Sequence, residues 1–155
     1  AAWAATATQL FTVHIPVLIQ IRAPILDQIK AHPGTGADVA FATQNWWAGG
    51  NSTRGVNVTL ETLTAFRHTV TPTSKRNARL DLSVAKLRGT GTWTVNTATA
   101  TTNFAAGNEN AKVKTTSNGT GSAQLYLNVT FITSAPGTLL EGDYSLTVLG
   151  TVTEN

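Results

Sequence analysis

An all-β fold, an antiparallel β-sandwich, is what this chain of 155 residues predicts, on three observations. Apolar residues alternate with polar ones in several short segments, the pattern of strands with one buried face. Turn residues separate those segments at short intervals. No stretch carries a convincing helical period, and the best candidate, residues 25–30, amounts to one turn. Threonine reinforces the reading: 28 of them supply polar faces where charged residues, at 12%, are sparse against a usual ~25%.

The first segment is the most informative. Ala1, Trp3, Ala5, Ala7, Phe11, Val13, Ile15, Val17, Ile19 and Ile21 are apolar at odd positions, interrupted only by Gln9. Strands seldom exceed about 10 residues, and at roughly 3.3 Å per residue this one would reach about 70 Å. Two readings fit. The chain folds back at Pro16, or it serves two bodies, its front half in a neighbour and its rear half at home. The second makes the protein a polymer subunit, with residues 1–10 a donor extension and 11–155 the sandwich domain. Small side chains around Trp3 suit a narrow groove, where strand addition binds through main-chain hydrogen bonds and alternate side chains fill pockets. Pro16, lacking an amide donor, suits the junction, and equally an edge strand or a bulge.

The remaining strands follow the same design. Val56, Val58 and Leu60 alternate with Asn57 and Thr59; Leu80, Leu82 and Val84 alternate with Asp81 and Ser83; Trp93 and Val95 follow Gly91. Ala111 and Val113 begin another strand, and Ser117-Asn118-Gly119-Thr120 has the chemistry of a hairpin turn. Leu125, Leu127, Val129 and Phe131 form the clearest strand, and Tyr144, Leu146, Val148 and Val152 the last.

Length fits one domain, large enough to bury a core without metals or crosslinks. The chain has no Cys, which removes disulfides, thiolate metal sites and cysteine nucleophiles. Met is also absent, and a start at Ala-Ala-Trp fits a processed terminus left by signal-peptide removal, although a chain trimmed there looks the same. Export is therefore the expectation. No run of about 18 apolar residues exists to insert into a membrane. A net charge of +3 and a pI near 9.6 raise the question of nucleic acid, but the eleven Lys and Arg residues are scattered. Their one cluster, Lys75, Arg76 and Arg79, follows Thr71-Pro72-Thr73-Ser74 and reads as a solvated turn.

The tail, Leu140-Glu141-Gly142-Asp143-Tyr144-Ser145-Leu146-Thr147-Val148 and on to Val152-Thr153, resembles the closing strand of pilins assembled by donor-strand exchange, nearest the archaic chaperone-usher, spore-coat-U-like group. The resemblance covers about the final fourteen positions and the character of the first fifteen. It implies an immunoglobulin-like sandwich lacking one strand, the gap being filled by the N-terminal extension of the next subunit. That family often carries a disulfide, which this chain lacks.

Four sequons occur, at Asn51, Asn57, Asn118 and Asn128. Asn57 and Asn128 alternate with inward Val and Leu and should face solvent; the other two fall in turns, as N-linked glycans require. Ordinary outward polar residues would look alike. At Trp46-Trp47, adjacent strand residues point to opposite faces, so one ring is available to stack on a sugar. Core or subunit-interface packing is the other reading. No catalytic constellation is apparent: His14, His32 and His68 have no carboxylate and nucleophile at a recognisable spacing, and neither a metal-ligand cluster nor a phosphate loop occurs. No cofactor is expected. The sequence thus points to an extracellular, cell-surface filament subunit whose partners are other copies of itself. The alternatives are a monomeric surface adhesin or carbohydrate-binding module, and a virion or outer-layer protein.

Overall fold

A computed structural model of the chain describes residues 2–155. In chain order its strands are β1 (Ile19–Arg22), β2 (Val39–Ala40), β3 (Gln44–Gly50), β4 (Val56–Thr62), β5 (Phe66–His68), β6 (Lys75–Arg76) and β7 (Ala78–Arg88). Then come β8 (Trp93–Thr97), β9 (Thr99–Thr101), β10 (Ala111–Ser117), β11 (Gly121–Phe131), β12 (Tyr144–Ser145) and β13 (Leu149–Glu154). All pair antiparallel, in two main sheets: β1-β3-β11-β7-β9, with β2 also on β11, and β13-β4-β10-β8. A small third sheet, β12-β5-β6, continues at one end. The expected antiparallel β-sandwich is what the chain forms. No helix among the described residues is long and apolar enough to cross a membrane.

Alternation dictates the packing. Along β4, Val56, Val58, Leu60 and Thr62 are buried while the residues between them are half-covered. Val113 of β10, Leu80 of β7, and Leu125 and Leu127 of β11 meet them from the neighbouring strands and the facing sheet, each at 1% exposure or less. Burial of each such side chain is worth roughly 1.5–3 kcal/mol. At the lower end, Phe66 stacks on Phe41 and meets Phe131 edge-on, with ring centroids 6.2 and 5.1 Å apart.

Several expectations are corrected. Ser117-Asn118-Gly119-Thr120 does form a tight turn, but it joins strands of opposite sheets, because β10 pairs with β4 and β8 while β11 pairs with β3 and β7. Just past the turn, Gly121, at φ +138°, lies so close to the carbonyl of Arg88 on the neighbouring strand of its own sheet that a Cβ could not fit. The last strand is split into β12 and β13, since its partners β5 and β4 are themselves parted by a bend at residues 63–64. Residues 25–30 hold a bend and no helical turn. Lys75 and Arg76, read as a solvated turn, form strand β6, and the Arg76 side chain is buried, donating to the carbonyls of Lys75, Thr133 and Ala135. A guanidinium enclosed by carbonyls needs no surface position.

Candidate assembly site

Of the long first segment, only Ile19–Arg22 is strand. Residues 2–17 have no strand partner, and residues 2–15 are exposed throughout. Trp3 is 97% exposed, Phe11 81%, Val13 85% and Ile15 72%, and Ala5 and Ala7 are exposed as well. Ala1 lies outside the described residues. Hydrogen bonds to the sandwich begin at Pro16 and Leu18.

Asn51 makes that connection. Its Oδ1 accepts the Leu18 amide at 2.7 Å, its Nδ2 donates to the Pro16 carbonyl at 2.9 Å, and its backbone amide donates to the Leu18 carbonyl at 3.1 Å. Pro16 itself supplies no amide hydrogen, so its carbonyl is the group available. Gly50 allows the close approach: a Cβ there would stand 2.8 Å from Ile19 Cγ2. The root of the extension is therefore fixed in direction while its length is free. Nothing in the sequence marks Asn51 as an anchor; there it is only the first residue of a sequon.

The opposite feature is an uncovered edge. From Tyr144 to Glu154 the chain alternates half-buried and exposed residues without a break. Tyr144, Leu146, Val148 and Val152 touch the core, yet none is buried, unlike the inner residues of β4 beside them. β13 is the outermost strand of its sheet, and residues 146–148 have no strand assignment. Across the sandwich, Ile19 and Ile21 of β1 are likewise only half-buried. The rims meet above at Gly150, whose missing Cβ would otherwise fall 2.5 Å from the Trp46 ring and 2.8 Å from Ile21 Cδ1. Below Gly150, β1 ends, and β2, paired with β11, continues that side of the facing sheet. What remains is an edge along which Phe41, Leu146 and Val148 pack on the core but stay half-covered, beside a last strand with no outer partner, the chemistry that an extended apolar chain satisfies.

The two tryptophans do point to opposite faces. Trp46 enters the core at 9% exposure, whereas Trp47 is half-buried outside, with the Arg22 guanidinium 4.2 Å from its ring centroid. Of the sequons, Asn118 and Asn128 are exposed, and among the described residues neither Nδ2 has a hydrogen-bond partner. Asn51 uses both amide atoms, as described. Asn57, expected to face solvent, is half-buried between Thr116 and Thr153 on the adjacent strands, with Oδ1 enclosed and unpaired.

Charge is spent on holding loops. Glu109 receives Lys75 Nζ at 2.9 Å, both Arg67 contacts at 3.2 Å and the Ala65 amide at 3.2 Å. The Lys75 bond is the largest cause holding its carboxyl below the ordinary value of 4.5, against the opposing effect of burial. Glu154 is likewise lowered, first by the Ser52 hydroxyl and then by Arg54. His68 accepts the Val70 and Thr71 amides on Nδ1, which places its proton on Nε2, donated to the Glu141 carbonyl at 2.8 Å. His32 does the same, accepting from Gly34 on Nδ1 and donating from Nε2 to Thr133 Oγ1. His14 stands exposed on the extension. No protein-family model, curated protein or solved structure matches the chain.

Proposed function

We propose that this protein is the structural subunit of an extracellular, cell-surface filament, a homopolymer joined head-to-tail by donation of residues 1–17 to the open edge of the next copy. One observation carries the reading: most of the longest alternating apolar segment of the chain, residues 2–15, stands outside its own sandwich, where solvent meets Trp3, Phe11, Val13 and Ile15. Large apolar side chains left together in water mark a surface awaiting a partner. An acceptor of matching chemistry is supported by the unpartnered edge at residues 144–154, whose inner side chains are only half-covered. That edge spans 11 residues, about 36 Å when extended, and the described extension spans 16, so the donor is long enough to cover it. Because donor and acceptor are different surfaces, the contact does not close on itself and generates an open chain. Of the four sequons, Asn118 and Asn128 are the two whose exposed carboxamides support an N-linked sugar on the filament surface.

Negative-stain microscopy and sedimentation test this. The full chain should form fibres, and removal of residues 1–15 should leave a folded β protein that forms none. A full chain that stays monomeric at high concentration would refute the proposal.

A further inference from the structure

A second apolar projection follows edge strand β1. Residues 23–31 link β1 to the segment leading into β2, and both ends of this loop are fastened: Arg22 lies on the Trp47 ring, and His32 bonds Thr133 and meets the Phe131 ring edge-on at 5.7 Å. Lys30 Nζ ties it to the Ala40 carbonyl at 2.7 Å. Between those points Ile25 and Ile29 are each 98% exposed and Leu26 74%. The loop starts where β1 stops, and the chain it feeds returns to the same side of the sheet at β2. Two fully exposed isoleucines on a loop fixed at both ends have no role in the core of their own domain.

We infer that Ile25 and Ile29 form a clasp that packs against the extension of a second copy as it lies along the edge at residues 144–154; the inference rests on the filament reading above. Two features select that occupant. The loop is continuous with β1, the edge strand of the facing sheet. The extension, at 16 residues or about 53 Å, exceeds the 11-residue edge by about 17 Å, leaving a length that the last strand cannot cover and that carries the same odd-position apolar face.

Crosslinking the assembled full chain tests this, with p-benzoylphenylalanine at position 29 and a mixture of light and heavy-isotope subunits. The expected product joins position 29 of one copy to a residue between 2 and 17 of another. In parallel, I25S/I29S should raise the concentration needed for assembly about tenfold or more while leaving the melting temperature of the monomer unchanged, since both side chains are exposed there. Fibres whose crosslinks fall on a neighbour's sandwich or on the same chain, or an assembly threshold unmoved by the double substitution, would overturn the clasp and leave the filament reading intact. Absence of any polymer from the unmodified chain would overturn both.

Discussion

Asn51 shows how one side chain determines what a long segment can do. Its two carboxamide bonds to Pro16 and Leu18 fix the point at which the chain leaves the sandwich. Asn51→Ala should cost about 1–2 kcal/mol of stability, a typical sum for two exposed hydrogen bonds. Hydrogen exchange at the Leu18 amide should quicken, and fibres should become fewer or irregular; an unchanged Leu18 amide would deny Asn51 that role. Glu109 works by charge. Its carboxyl is held below its ordinary value, so its stabilising contribution is fully present above pH 4.5 and is lost as the pH falls below that through the lowered value. Thermal melts taken from neutral to acid pH should show this loss in the unmodified chain and a shallower one in Glu109→Gln, which should also be less stable at neutral pH.

The strands with a plain alternation, β4, β7, β10 and β11, were legible because one face of each is buried by its neighbours' side chains, and β8 because Trp93 and Val95 are half-buried on one face; period two records that. Elements defined by their partners were not. β6 is the pair Lys75–Arg76, whose residues suggest solvent, and it exists because β5 lies opposite and carbonyls enclose the guanidinium. The turn after Ser117 was recognisable as a turn, but whether it joins strands of one sheet or two depends on which strands flank it, and that is set by distant pairings. The last strand combines both lessons. Its alternation over residues 144–154 was visible, while its incompleteness shows only in three dimensions, as inner residues that stay half-covered. Val148→Asp probes this edge: a charge there should cost the isolated domain under about 2 kcal/mol, because the site is half-open, yet it should abolish fibres by placing a carboxylate in the path of the donor. Melting and microscopy of the same preparation separate the two effects.

For the whole molecule, the distribution of apolar surface is the organising fact. The core between the two sheets is closed at Leu60, Leu80, Leu125 and Leu127, so the sandwich needs no help along its centre. Along β13 and residues 146–148 its inner side chains stay half-covered, and the chain carries a long alternating apolar segment that is exposed to solvent. The sequence disclosed that segment through an alternation too long for one small domain, but not the half-covered edge, since that depends on Phe41, Leu146, Val148 and β1 from separate parts of the chain. Concentration-dependent hydrogen exchange across residues 2–17 tests the donation most directly. Amides of this segment should exchange at the rate of an unfolded peptide in dilute monomer and become protected as fibres form, together with those of residues 146–148. Fast exchange of residues 2–17 at every concentration, or protection already complete in the monomer, would contradict assembly through this segment.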